Sequence, residues 1–350
     1  MEVASTPQVR PARLRAAALR TVIGLCAGAV LILTFLRLVN VSAVAQRLEH
    51  LSVGFALLCG AAFLAAYFVR ALRWRCLLRP FEVSIPRVAA IYQVAIFINW
   101  LLPIRGGELA KSLLLRRSDG IPVSRSLATV SMDKSMDLLP AVVLVGVLPF
   151  VGLHLSRPLW VLLLFALAVV GAGAVVLGLA AWRRERALAV LTRPLDVLLP
   201  RRVRQRIEPF IVPFVDTLLG LVRRPRLLLV AAAYTAVAVA LDALFCLLAF
   251  RAVGVAVTPA VVLYGYTFYN LAYMLPTPPG QVGSNELVGL LVFSGLFGVG
   301  RSGVGAMFLF SHPWTAILMT VSGLLCLSLM GMKLRSTLRL AQDSGGREVT

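Results

Sequence analysis

The chain has 350 residues, of which 59% are hydrophobic, with a mean hydropathy of +0.89 and a formal net charge of +20. This hydropathy excludes an ordinary soluble domain, and we predict an all-α, polytopic integral membrane protein. The positive charge comes mostly from arginines in short connections, so it argues against nucleic-acid binding and for orientation in the membrane and attraction to anionic lipid headgroups. The five cysteines are scattered without CxxC spacing, which is typical of packing residues rather than metal ligands.

In chain order, the apolar runs long enough to cross a bilayer lie at 21–39, 53–74, 127–153, 158–182, 227–250 and 304–332. Residues 1–20 form a basic arm, and the first run reads as a retained span because no convincing cleavage site follows it. Residues 183–226 hold eleven arginines around a 13-residue apolar run, 210–222, which is too short to span and predicts an interfacial or partly buried helix. The predicted membrane domain is 21–335, followed by a polar tail at 336–350.

The arginine distribution predicts the orientation. Placing 1–20, 75–125, 183–226 and 333–350 on one side gathers nearly all of the loop charge there. By the positive-inside rule that side is cytoplasmic, so the N-terminus is predicted to be cytoplasmic.

Two hydrophobic stretches are broken by proline and glycine. The first, FINWLLPIRGGELAKSLLL at 97–115, carries Arg105, Glu108 and Lys111; the second, YNLAYMLPTPPGQVGSNELVGLL from Tyr269, carries Gly280 and Glu286. In the assigned orientation, the chain around the first break enters and leaves the membrane from the cytoplasmic side. The chain around the second break enters and leaves from the outside. Two re-entrant, broken helical hairpins in an inverted repeat produce this pattern and point to a transporter's binding site, where free helix ends favour anionic groups. Two unrelated interfacial loops are the alternative.

Charged residues also lie inside the predicted spans. Asp133, Lys134 and Asp137 would each cost about 2.5–3.5 kcal/mol at mid-bilayer, so they cannot face lipid. Local pairing neutralises only part of this group, and one carboxylate needs Arg105, Lys111 or Arg73. A salt bridge that fixes helix packing and a substrate or proton site both remain open. Asp242 and His312 are the other polar residues in the spans, and the alternative for His312 is a packing or kink feature beside Pro313.

Four motifs together resemble a known family. They are RALRW (70–74), NWLLPIRGGE (99–108), DKSMD (133–137) and LPTPPGQVGSNE (275–286). In this order they are similar to the flippase-like membrane domain of the lysylphosphatidylglycerol synthase family, the membrane half of the multiple peptide resistance factor. The resemblance implies a multi-pass protein of the bacterial inner membrane that moves or handles a polar lipid. Two departures are expected to matter: no soluble synthase domain follows, and His312 stands where many relatives are expected to have arginine.

The sequence therefore predicts a lipid translocase for a phosphate-bearing, aminoacylated or polyprenyl-linked lipid, with no cofactor, no metal and no nucleotide-binding motif. A lipid-biosynthetic enzyme is a possible partner, and the oligomeric state is open. The alternatives are a membrane-embedded transferase or phosphatase and a scaffold for a lipid-modifying enzyme. The residues predicted to bind substrate are Arg73, Asn99, Arg105, Glu108, Lys111, Asn270, Gly280 and Glu286. Those predicted to balance charge or bind a coupling proton are Asp133, Lys134, Asp137, Asp242 and His312.

Overall fold

The computed structural model describes residues 11–79, 81–101, 106–140, 143–144, 157–183, 185–186, 201–272 and 277–332. Within these ranges the regular structure is helical throughout. The helices are α1 (Pro11–Leu38), α2 (Val41–Glu49), α3 (Val53–Leu77), α4 (Ile85–Leu101), α5 (Gly107–Asp119), α6 (Val123–Met136), α7 (Arg157–Trp182), α8 (Arg201–Val222), α9 (Pro225–Ala252), α10 (Pro259–Ala272), α11 (Ser284–Leu296) and α12 (Arg301–Leu329). A 3₁₀ turn, Pro279–Gln281, precedes α11, and α11 becomes π-helical over Leu290–Leu296.

Three helices of the described ranges, α3, α9 and α12, are long and apolar enough to cross a membrane. A fourth span results if α1 and α2 are counted together, although the chain bends by 90° between them. The bend lies at Asn40, between the two helices. The Asn40 side chain accepts a hydrogen bond from the Ala43 N–H and so caps α2. The prediction of a polytopic helical membrane protein is confirmed.

The predicted span at 127–153 differs from the structure. The helix α6 ends at Met136, and a turn follows at 137–138. Pro140 explains this break, because it has no N–H to donate to the Met136 carbonyl and its ring crowds that oxygen. Residues 139–140 and 143–144 are helical again, and the rest of this predicted span, 141–142 and 145–153, lies outside the described residues.

The helices α3 and α9 pack side by side in opposite directions. The Ser52 N–H at the start of α3 donates to the Ala252 carbonyl at the end of α9 (2.9 Å), and Phe63 contacts Phe245 farther along the pair. Exposed arginines, among them Arg79 and Arg224, lie where α3 ends and α9 begins. We call this the basic end of the bundle and the other the opposite end.

Two helical hairpins enter the bundle from these two ends. The first hairpin is α4 and α5, and the Arg87–Asp119 ion pair (2.8 Å) joins its two arms at the basic end. The second hairpin is α10 and α11, and the ring of Phe268 lies 6.1 Å from that of Phe297 at the opposite end. The 3₁₀ turn at Pro279–Gln281, which precedes α11 in the second hairpin, packs against α4 of the first hairpin.

The order of elements repeats in the two halves of the chain. In each half a short or amphipathic helix (α2 or α8) is followed by a long helix (α3 or α9), a hairpin and a last helix (α6 or α12). The short or amphipathic helix packs on the last helix of the other half: α2 contacts α12, and α8 contacts α6. Since α3 and α9 are antiparallel, the halves are related by inversion, as in inverted-repeat transporters. The predicted helix at 210–222 is the second part of α8, and Leu219 and Leu221 within it are buried.

Candidate functional site

A cavity of about 260 Å³ lies between the two hairpin tips and the long helices. Side chains of α3, α4, α5, α6, α9, α10 and α12 line it, so it collects residues from both halves of the chain. Its ionisable lining residues include Arg70, Arg73, Glu108, Lys111, Lys134, Asp137, Asp242 and His312. Charges are tolerated inside a membrane bundle where they pair with one another or line an internal cavity, and these residues line such a cavity.

Six charged side chains of α3, α5 and α6 form a closed ring of alternating sign, which we call the charge ring. Going round it, the links are Arg73 Nε–Asp133 Oδ1 (2.7 Å), Asp133 Oδ2–Lys111 Nζ (3.5 Å), Lys111 Nζ–Glu108 Oε2 (3.1 Å), Glu108 Oε1–Lys134 Nζ (3.9 Å), Lys134 Nζ–Asp137 Oδ2 (3.1 Å) and Asp137 Oδ1–Arg73 Nη2 (2.8 Å). Three cations and three carboxylates therefore balance within the ring, and each member contacts two of opposite sign.

The ring is closed on its protein side and open on its cavity side. The side chains of Arg73 and Asp133 are each 1% exposed, and Arg73 also donates to the Thr235 hydroxyl on α9 (3.1 Å). Lys134, by contrast, is 50% exposed, and its contact with Glu108 is the longest link. A charged group entering the cavity can therefore reach Lys134 and Glu108 without disturbing the buried pair.

Aromatic side chains surround the cations of this region. Lys111 Nζ lies 3.8 Å from the centre of the Tyr92 ring and 5.4 Å from that of Trp74. Arg70 forms a two-pronged ion pair with Asp242, in which Nη1 lies 3.1 Å from Oδ1, and its guanidinium lies 5.3 Å from the Tyr67 ring centre. These cation–π contacts add attraction at positions where water is scarce.

The tip of the first hairpin is fixed by Asn99. Its Oδ1 accepts from the Gly107 N–H (2.7 Å), and its Nδ2 donates to Glu108 Oε1 (3.4 Å). A Cβ on Gly107 would lie 2.1 Å from the Ala95 carbonyl oxygen, so only glycine allows the two arms to come this close. Glu108 lies in the first turn of α5, where a carboxylate is stabilised by the helix dipole.

The tip of the second hairpin is fixed by Glu286 and His312. Glu286 Oε2 accepts from the Gly283 N–H (2.7 Å), while its Oε1 lies 2.5 Å from His312 Nδ1. The other ring nitrogen of His312 lies 2.8 Å from the Gly280 carbonyl oxygen. At each tip one N–H group of the helix N-terminus, that of Gly107 or Gly283, already has a protein acceptor and is not free for an anion.

The structure gathers most of the predicted residues around the cavity. Those that line it are Arg73, Asn99, Glu108, Lys111, Lys134, Asp137, Asp242, Asn270 and His312. Asp133 belongs to the charge ring, and Gly280 and Glu286 contact His312. Arg105 lies outside the described residues, so its role stays a prediction. In the described ranges, no three His, Cys, Asp or Glu side chains are grouped as a metal site requires.

Sequence reasoning missed two contributors to this site. Arg70 was noted only as part of a motif, although it lies three residues before Arg73 on α3 and so shares its helix face. Tyr92 was not singled out, since one tyrosine in the apolar run of α4 is not distinctive. Tyr266 and Tyr269 of α10 also line the cavity, and the sequence analysis assigned them no role.

The two halves place equivalent residues at equivalent points of the site. The same offset of 178 residues relates Glu108 to Glu286 (286 minus 108) and Lys134 to His312 (312 minus 134). The same offset relates the first residues of α6 and α12, Val123 and Arg301. In each half, then, a glutamate in the first turn of the returning hairpin arm contacts a basic side chain on the helix that follows.

These features define a polytopic helical membrane protein with two inverted hairpins around a charged internal cavity. The family described as "Lysylphosphatidylglycerol synthase TM region" matches residues 19–323, and the chain belongs to this family. The match confirms the resemblance and supports a function connected with membrane lipids. No curated protein and no solved structure matches the chain.

Proposed function

We propose that this protein is a lipid translocase of the bacterial inner membrane. The headgroup of the lipid passes through the cavity between the two hairpin tips, while its acyl chains stay in the bilayer. The observation that carries the proposal is the charge ring, which is buried in the bundle but presents its longest and most exposed link, Lys134 to Glu108, to the cavity.

The size and lining of the cavity favour a headgroup as its occupant. About 260 Å³ is below the roughly 300–1,000 Å³ of pockets that enclose whole drug-sized molecules, so the cavity suits a headgroup and not the chains attached to it. A phosphate group at Lys134 and an ammonium group at Glu108 would both find an opposite charge. Phosphate-bearing and aminoacylated lipids are accordingly the substrate classes that we propose.

Energy for movement would come from an ion gradient or from downhill flux, since the chain has no nucleotide-binding motif. An inverted pair of hairpins suits such transport, because rocking one half against the other opens a fixed central site to either side in turn. Membership of the family supports a lipid as the substrate, and the charged cavity supports the passage of the lipid headgroup.

Transport by purified protein in proteoliposomes tests the proposal. We expect accelerated transbilayer movement of at least one labelled lipid among phosphatidylglycerol, an aminoacylated phosphatidylglycerol and a polyprenyl phosphate. The variants Lys134→Gln and Glu108→Gln should each slow it by about tenfold or more, because a charge-assisted hydrogen bond is worth about 1.5–3 kcal/mol.

The matched control is Arg87→Gln. It removes a cation of the first hairpin that lies at the basic end of the bundle, outside the cavity, and it should leave the transport rate unchanged. No acceleration of any of these lipids would refute the translocase. Full function of Arg105→Ala and Glu108→Gln in cells would instead favour a scaffold for a lipid-modifying enzyme.

A further inference from the structure

We infer that Glu286 and His312 form a proton-binding site that locks the tip of the second hairpin to α12. Both residues are buried, at 3% and 8% exposure. The imidazole ring bridges two acceptor groups: Nδ1 lies 2.5 Å from Glu286 Oε1 and Nε2 lies 2.8 Å from the Gly280 carbonyl oxygen. At these distances each contact is a hydrogen bond and needs its own hydrogen.

Counting hydrogens shows how many protons the pair must hold. A carbonyl oxygen only accepts, so Nε2 must carry the hydrogen that bonds Gly280. A neutral imidazole has a single N–H, which leaves Nδ1 as a bare acceptor facing Glu286. A second hydrogen must therefore lie between Nδ1 and Oε1, on the ring or on the carboxyl group. The pair holds one proton more than a neutral histidine beside an ionised glutamate.

Loss of this proton breaks one of the two contacts. The remaining N–H can serve Glu286 or Gly280, and a bare ring nitrogen then faces the oxygen of the other. The buried pair also gains a negative charge, which is costly away from water. Since Glu286 Oε2 is held by the Gly283 N–H, the contact with the Gly280 carbonyl is the one that is free to open.

The segment released in this way is the tip itself. Gly280 lies in the 3₁₀ turn Pro279–Gln281 with a φ of 63°, and this turn packs on α1 and α4. On α1 the packing depends on small residues, because a Cβ on Gly24 would lie 2.7 Å from Pro279. Opening the His312 contact therefore loosens the face of the hairpin that meets α1 and the first hairpin.

The neighbourhood of the pair contains no other described ion-pair partner for it. The ionisable side chains on the helices packed against it include Cys26 and Arg37 on α1, Arg47 and Glu49 on α2, Tyr67, Arg70 and Arg73 on α3, Arg87 and Tyr92 on α4, Asp242 on α9, Tyr264, Tyr266 and Tyr269 on α10, and Arg301 and Cys326 on α12. Among the described residues, none of these is within ion-pair distance of Glu286 or His312, so the extra proton belongs to the pair. Tyr269 donates to Asn285, the residue beside Glu286. Any role of this site in coupling lipid movement to a proton gradient rests on the proposed function, whereas the tests below do not.

Nitrogen-15 NMR of histidine-labelled protein in nanodiscs detects the proton directly. The chain has three histidines, so His50→Gln and His154→Gln assign the signals. Across a pH series we expect both ring nitrogens of His312 to be protonated or strongly hydrogen-bonded at the acidic end, and one of them to become a bare nitrogen at the alkaline end. A bare ring nitrogen on His312 at every pH would overturn the inference.

Hydrogen–deuterium exchange of the segment 277–290 detects the lock. The wild-type segment should be protected at acidic pH and lose protection at alkaline pH. In Glu286→Gln the amide can donate to Nδ1 while Nε2 donates to Gly280, so both contacts form with no extra proton, and the segment should stay protected throughout. Comparing the two proteins at each pH removes the intrinsic pH dependence of exchange.

The matched control is Glu108→Gln, which changes the equivalent glutamate of the first hairpin and should keep the wild-type pH dependence at 277–290. If Glu286→Gln also keeps that pH dependence, or if wild-type protection does not change with pH, the inference is wrong. Because neither measurement uses a lipid substrate, the proton site can be confirmed or refuted independently of lipid transport.

Discussion

The charge ring shows how burial dictates the partners of individual residues. Three charges in one apolar stretch, Asp133, Lys134 and Asp137, cannot be left unpaired in a membrane, and the sequence alone required a cation from elsewhere for one carboxylate. The structure supplies both Arg73 and Lys111. Their identity was among the options that the sequence left open, because pairing depends on which faces of α3, α5 and α6 meet. The ring closure through Lys134 depends on the same geometry and was not foreseen.

Removing one buried carboxylate from the ring should destabilise the protein strongly. In Asp133→Asn, Arg73 and Lys111 each lose a partner while remaining buried, and breaking such a pair costs about 3–5 kcal/mol. We expect a clear fall in the thermal unfolding midpoint of the purified protein in detergent.

Asp119→Asn is the control for this prediction, since it makes the same chemical change in a pair whose arginine is half exposed. It should cost about 0–1 kcal/mol, as exposed ion pairs do. Equal effects of the two substitutions would show that the ring does not contribute to stability as its burial implies.

At the scale of elements, the length of an apolar run predicts where a membrane-spanning helix lies, and it predicts the ends of the other helices less well. The spans α3, α9 and α12 agree closely with the predicted 53–74, 227–250 and 304–332, because about 20 apolar residues are needed to cross a bilayer. The early end of α6 was missed although Pro140 was visible, since a proline in an apolar run can also kink a helix that continues. The length of α8 was underestimated because its first turns are arginine-rich.

The first hairpin should be intolerant of any side chain at Gly107. In Gly107→Ala the Cβ would lie 2.1 Å from the Ala95 carbonyl and 2.7 Å from the Asn99 side chain. Because backbone cannot move aside as a flexible side chain does, the arms must separate, and the overpacking should cost about 1–3 kcal/mol or more. Hydrogen exchange of 95–110 should rise, and the unfolding midpoint should fall.

Gly54→Ala is the matched control, because Gly54 is helical and a Cβ there would meet nothing within 4 Å. Alanine at an open helical position is neutral or stabilising by up to about 1 kcal/mol. If Gly107→Ala folds with unchanged exchange and stability, the close approach of the two arms is not required.

At the scale of the whole molecule, the sequence predicted the inverted arrangement of the two halves. It did not predict which residues of one half correspond to which residues of the other. The two breaks share proline, glycine and glutamate, and the arginine distribution assigned them to opposite sides, which indicated an inverted repeat. The equivalence of Lys134 and His312 could not be read in this way, because the residue types differ and only the common offset of 178 residues (286 minus 108; 312 minus 134) relates them. One half thus carries a permanent cation where the other carries a group that can lose its proton.

Inversion and charge together predict which side of the membrane each hairpin faces. Arg117, exposed near the end of α5, lies at the basic end, and Gly300, exposed after α11, lies at the opposite end. A Cβ at Gly300 would meet nothing within 4 Å and Arg117 is exposed, so cysteine should be tolerated at both positions. In a variant lacking the five native cysteines, a membrane-impermeant maleimide applied to intact cells should label Gly300→Cys. It should label Arg117→Cys only after permeabilisation, since the positive-inside rule makes the basic end cytoplasmic. Labelling of both cysteines from one side would contradict the inverted hairpins, whereas labelling from opposite sides in the reverse sense would contradict only the orientation.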